Sequence, residues 1–247
     1  MPMILYLGDT SLQKAAAYLA GVMAHSKIAF DYLPSDKTFQ DRFLKKDYKA
    51  IILSDYPANN FTPSQVKGVL SCVRNGMGLL MIGGWESFTG LNAGYEKNAL
   101  TQALPVTLSN KDDRVNTASP CVVIKETEHP LLKGLPLSDH LPCVSGFNRL
   151  KAKPGCPILL SICQLSVKSV KEKLHFIEKE KAPLLTLGQF GLGKTAAYAS
   201  DAAPHWSGGF VDWGTKRIAA QAPGAEEVEI GNAYVEFFTR LIRFVSK

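Results

Sequence analysis

Short apolar runs alternate with helix-like stretches through the first third of the chain, and this alternation most constrains the fold. Residues 3–8 form the first run and end at Gly8-Asp9. Residues 10–25, rich in Ala and Leu, read as a helix with Thr10 or Ser11 as its N-cap. Residues 28–33 are a second strand, closed by Pro34-Ser35-Asp36, and residues 38–44 a short helix. Residues 48–53 are a third strand ending at Ser54-Asp55. Pro63 then opens a helix that runs to Arg74 and stops at Asn75-Gly76. Residues 78–82 are a fourth strand, followed by Gly83-Gly84-Trp85. Strands that are apolar throughout suit burial on both faces, and parallel neighbours need crossovers, usually helical. The pattern predicts an α/β fold with a doubly wound, mainly parallel sheet covered on both faces.

The remaining chain is less regular. Residues 98–104 read as a short helix, and residues 121–125, 157–163, 184–187 and 195–200 as further strands. Residues 229–245 carry Tyr234, Phe237, Phe238, Leu241 and Ile242 on one face at helical spacing, the mark of a core-facing helix. No repeat or linker interrupts the sequence, so residues 1–247 read as a single domain.

Charge and cysteine usage narrow the class. The 247 residues carry a net charge of +6, but Lys and Arg are dispersed among acidic residues. Even the densest basic stretch, residues 168–181, contains Glu172, Glu178 and Glu180 and reads as a solvated mixed-charge surface. That argues against nucleic acid, which calls for a focused basic stripe. The five cysteines are scattered, with no Cys-x-x-Cys pair, so neither a zinc ribbon nor a disulfide framework is expected. The first residues lack a basic stretch and their apolar run is too short for a signal peptide, so none is expected, and no apolar run approaches bilayer length. The expectation is a cytoplasmic protein with no metal, no cofactor and no membrane partner.

Two patterns bear on chemistry. Gly188-Gln-Phe-Gly-Leu-Gly193-Lys194-Thr195 satisfies the phosphate-loop pattern. Such a loop must open a helix, yet residues 195–201 are short and read as a strand, so a glycine-rich hairpin is expected. The second pattern lies where strands end, the place ligands occupy in doubly wound sheets. Those ends carry Asp9, Asp55, Gly83, Gly84, Trp85, Glu86 and Ser87, and a later one carries Asp201, His205 and Trp206. Each has a plain structural alternative: the aspartates as caps, the indoles as cover for the sheet, His205 as a hydrogen-bonded loop residue. Together they define a candidate pocket for a small molecule.

The stretch Gly78-Leu-Leu-Met-Ile-Gly-Gly-Trp-Glu-Ser-Phe-Thr-Gly90 resembles class I glutamine amidotransferase-like proteins, as do Gly191-Leu-Gly193-Lys194 and Ser200-Asp201-Ala-Ala-Pro204-His205-Trp206. The likeness extends to Glu128-His129-Pro130 and Gly146-Phe147-Asn148, and is strongest to a little-characterised branch. It implies a flavodoxin-like sheet and a homo-oligomer. It also sets a contrast. Class I glutaminases hold a thiolate on a sharp strand-to-helix turn, with a histidine and a carboxylate two residues apart late in the chain. Here the comparable turn, residues 83–87, has no cysteine, and no His-x-Glu occurs. The resemblance therefore implies catalysis, if any, by His205 as base with Glu86 or Asp201 as orienter or acid. Ser87 is the one nucleophile at the turn, and Gly83 and Gly84 are the expected oxyanion donors. A non-catalytic sugar- or nucleotide-binding protein is the alternative.

Overall fold

The computed structural model describes residues 3–91 and 93–247. Strand β1 (Met3–Gly8) is followed by helix α1 (Ala16–His25) and β2 (Ala29–Leu33). Helix α1 starts later than the sequence suggests. Ser11 Oγ caps a turn at Gln13, and the loop around Gly224 and Glu226 holds that turn by hydrogen bonds to Gln13 Nε2 and Leu12 O. The expected helix near residue 40 is a 3-10 turn, Asp41–Lys45. Strand β3 (Ala50–Ser54) leads to α2 (Pro63–Arg74). This helix opens on a capping box, in which Thr62 Oγ1 accepts the Gln65 N–H and Gln65 Oε1 accepts the Thr62 N–H. Strand β4 (Gly78–Ile82) is wholly buried.

Beyond β4 the chain builds strands: β5 (Val106–Thr107), β6 (Arg114–Lys125), β7 (Cys143–Asn148), β8 (Lys151–Ala152), β9 (Ile158–Val170), β10 (Lys173–Phe190) and β11 (Gly193–Tyr198). The one-turn helix α3 (Pro204–Ser207), the hairpin β12 (Arg217–Ala220) and β13 (Val228–Gly231), and helix α4 (Asn232–Val245) complete it. Nine strands form one sheet in the order β2-β1-β3-β4-β11-β10-β9-β6-β7. Pairing is parallel from β2 to β11 and antiparallel from β11 to β7. The fold is therefore mixed α/β, with a sheet that is half parallel where a mainly parallel one was expected. The cause is the connections: β9, β10 and β11 are joined by tight turns, which permit only antiparallel neighbours.

The glycine-rich motif is such a turn. Phe190 pairs with Gly193, and residues 193–198 are strand. A Cβ on Gly191 would lie 2.4 Å from Arg74 O, and one on Gly193 2.3 Å from Val73 O, so both glycines let the hairpin pass under the end of α2. Lys194 Nζ lies 4.9 Å from the centroid of the Phe244 ring. No helix follows to face a phosphate.

Past Gln164, β9 pairs only with β10, and the two continue as a ribbon. Cross-strand neighbours share a face, so Val167, Phe176 and Leu174 line one side of it. These residues are exposed, alongside the mixed charges expected there. All five cysteines are free thiols. Among the described residues no helix is long and apolar enough to cross a membrane.

The hairpin leads to one expectation. Mg-ATP should give no Lys194-dependent stabilisation, so thermal-shift titrations of the native chain and of Lys194→Ala should both stay flat.

Candidate functional site

Strands β1 and β3 end in the same unusual way. Gly8 has φ +132°, and a Cβ there would lie 1.5 Å from Ser54 O. Asp9 and Asp55 then take left-handed backbone angles, φ +43° and +48°. Such residues cost on the order of 1–3 kcal/mol each and persist where neighbours fix them. Asp9 donates its N–H to Ser54 O (2.8 Å), and its carboxylate accepts the Tyr6 hydroxyl (2.5 Å). Tyr32 donates to Asp9 O. Asp55 donates its N–H to Ser87 Oγ (3.0 Å), and its Oδ1 accepts the Glu86 N–H (2.8 Å).

The turn after β4 is braced from the far side of the sheet. Gly83 donates its N–H to Tyr198 O (2.7 Å) and Gly84 to Asn148 Oδ1 (2.9 Å). Asn148 Nδ2 donates back to Gly84 O and to Asp113 Oδ1, while Asp113 Oδ2 accepts the Thr89 N–H. Gly84 has φ +154°, and a Cβ on it would sit 2.1 Å from the Asp55 carboxylate.

Strand β11 delivers the last components. Ser200 Oγ donates to Gly146 O, and Asp201 Oδ1 accepts the Ala203 N–H. Helix α3, opened by Pro204, then sets His205 one turn beyond Asp201, with Nε2 2.9 Å from Asp201 Oδ2. Asp201 is fully buried and the His205 side chain is 50% exposed. One ligand atom from each of Asp55, Asp201 and His205 lies within 4.8 Å of both others.

Burial and crowding set the protonation states. Burial, then the Asp201 and Asp55 charges, pushes the Asp9 carboxyl well above its ordinary range. Burial, then Asp201, raises Asp55 to about 7, against the pull of N–H groups from Glu86 and Trp85. The neighbouring Asp201 carboxylate raises His205, opposed by partial burial. Burial raises Glu86 and takes Asp113 to about 6.

Asp9, Asp55, Asp201 and His205 thus gather at the carboxyl ends of parallel strands. Glu86 joins them through its backbone N–H, and its carboxylate makes no ion pair with His205. Ser87 is buried, with its hydroxyl turned to the Asp55 N–H. The Gly83 and Gly84 N–H groups, expected as oxyanion donors, are already donated within the protein. Trp85 is 46% exposed, with the Arg114 guanidinium 5.0 Å from its ring centroid. Trp206 is buried, with Nε1 on Asn116 Oδ1, and a Cβ on Gly146 would lie 2.3 Å from its ring. No cysteine stands on the β4 turn; Cys72 lies in α2. Tyr6, Asp113, Arg114 and Asn148 were not singled out as site residues from the sequence. For Asn148 the signal is Gly146-Phe147-Asn148 within the resembling motif; the other three carry none.

The sequence profile of the family described as "putative glutamine amidotransferase" matches residues 6–219. The chain belongs to this family. Among solved structures, Cytoplasmic Protein STM1381 from Salmonella typhimurium LT2 is similar, with a TM-score of 0.76 at 24% identity, over 99% of this chain and 100% of that one. Cytoplasmic Protein STM3548 from Salmonella typhimurium gives 0.74 at 24% identity, over 98% of each chain. A cold-adapted β-galactosidase from Rahnella sp. R3 gives 0.52 at 11% identity, over 99% of this chain and 31% of the enzyme. A comparison with curated protein sequences finds no match.

Two measurements check the bracing. Gly84→Ala should destabilise the protein by about 2 kcal/mol or more in urea unfolding, because the methyl meets the Asp55 carboxylate. Asp113 should also leave a mark on pH dependence. Its folded pKa is raised above the unfolded value, so its contribution is full below about pH 4 and lost as pH rises through about 6. Between pH 4 and 7 the native chain should lose up to about 3 kcal/mol relative to Asp113→Asn.

Proposed function

We propose that this chain is a glutamine amidotransferase-like protein that works without a cysteine nucleophile. In this reading the Asp201–His205 pair activates a water molecule, which attacks a carboxamide or related acyl carbon of a small molecule. The observation that carries it is the 2.9 Å contact between a fully buried carboxylate and a half-exposed imidazole at the strand ends. A buried carboxylate orients such a ring and stabilises its protonated form, which is the work a base needs. The family supplies the substrate class.

The other residues take roles from their contacts. Glu86, partly exposed beside Asp55, is the acid for the leaving amine. Ser87 positions Asp55 instead of attacking. Asp9 and Asp55 shape the polar floor with Gly83 and Gly84, Trp85 covers the ligand under Arg114, and Trp206 backs the loop that carries His205. The strand order β2-β1-β3-β4-β11 supports a flavodoxin-like, doubly wound parallel half. Its crossovers run outward in opposite directions, and right-handed connections then put α1 and α2 on opposite faces. A contiguous hydrophobic core supports one domain, and five free thiols support a reducing compartment such as the cytoplasm. A homo-oligomer with no nucleic-acid or membrane partner completes the reading.

Ammonia release from glutamine and a panel of small carboxamides tests it. His205→Ala should lower kcat/KM by about 100-fold or more, and thiol alkylation should leave turnover unchanged. Turnover that survives His205→Ala, or that disappears on alkylation, would sink the proposal.

A further inference from the structure

Three carboxylates gather at the rim, and one imidazole, that of His205, stands against Asp201. Asp9 and Asp201 are buried, and only a little of Asp55 reaches solvent. Among the described residues none of the three forms an ion pair with a lysine or arginine. Buried charges are normally paired or bound to a metal. Hydrogen bonding accounts for one oxygen of each outer carboxylate: Asp55 Oδ1 holds the Glu86 N–H and Asp201 Oδ1 the Ala203 N–H. That leaves Asp201 Oδ2 without a donor.

Asp201 Oδ2 is the telling atom. It is fully buried, and it accepts no directed hydrogen bond although His205 Nε2 is 2.9 Å away. Ser54 and Tyr198, the last residues of β3 and β11, likewise carry buried hydroxyls with no partner. An under-satisfied polar cluster of this kind is what an ion or ordered water completes. The spacing suits an ion. Two ligands about 2.1 Å from one metal and at right angles lie roughly 3 Å apart, close to the Asp201–His205 separation.

We infer that Asp55, Asp201 and His205 form a divalent-cation site, with one carboxylate oxygen from each aspartate and Nε2 of the imidazole as ligands. One nitrogen and two oxygens favour Mn²⁺, Fe²⁺ or Zn²⁺ over Mg²⁺ or Ca²⁺, which take oxygen alone. The backbone N–H groups of Glu86 and Ala203 orient the two carboxylates, as outer-shell partners do in metal sites. An ion bound there lowers the pKa of a coordinated water. The inference thus rests on the proposed water-activating site, with the imidazole a ligand and the bound ion, in place of the imidazole as base, activating the water. It departs from the metal-free reading of the sequence.

Isothermal titration of EDTA-stripped protein with Mn²⁺ and with Zn²⁺ tests it. One ion per chain is expected, with a rise in melting temperature of about 5–10 °C at a hundred-fold excess over Kd. His205→Ala, at a half-exposed position that tolerates truncation, and Asp201→Asn should each weaken binding by tenfold or more. His129→Ala, on the far side of the molecule, should leave it unchanged. Absence of binding by either ion, or binding that survives both His205→Ala and Asp201→Asn, overturns the inference. Carboxamide turnover that persists in EDTA would overturn the metal and leave the water-activating pair standing. Metal binding without turnover of any carboxamide would do the reverse.

Discussion

The Asp55 carboxylate ties the end of one crossover to the turn of the next. It accepts a backbone N–H from that turn, and Gly84 leaves the space it fills. Ser87, from the same turn, holds Asp55 itself in a left-handed conformation. The end of β3 and the turn after β4 therefore define each other, and neither keeps its shape alone. In a thiol-dependent amidase a turn of this kind would offer its N–H groups to a developing oxyanion. Here the protein's own carbonyls, amide and carboxylate take them. The turn carries no cysteine, and its N–H groups are already engaged within the protein.

The antiparallel half of the sheet steadies the parallel half. Asn148 at the end of β7 grips Gly84 from across the sheet, and Asp113, just before β6, holds Asn148 and the Thr89 N–H. The turn beside the aspartates is thus held from both sides, by β3 and by β7.

Local chemistry made the parallel half legible. Strand β4 and helix α2 begin and end where apolar runs, Pro63 and Asn75-Gly76 place them, because burial on both faces and end-capping are written in adjacent residues. The gathering of Asp9, Asp55, Asp201 and His205 was legible for a related reason: parallel strands bring their carboxyl ends to one edge. Pairing in the antiparallel half was not, because it depends on which hairpin meets which edge. Asp113 sits between Asp112 and Arg114 and reads as surface charge, yet it is buried. Residues 168–181 read as a charged surface, and only cross-strand register reveals the apolar side shared by Val167, Leu174 and Phe176. The glycine-rich motif is the converse case: a strong local match whose glycines answer to packing against α2.

The β9–β10 ribbon has a consequence for access. Strand β10 runs against β11, so the end of β10 that meets Tyr198 and Ala199 lies at the edge where Asp201 and His205 stand. The ribbon leaves the sheet from that same edge. Arg149, next to Asn148, anchors its base through Glu180. Beyond β11 the rim is therefore flanked by a projecting hairpin, which carries Val167, Leu174 and Phe176 on one of its two sides.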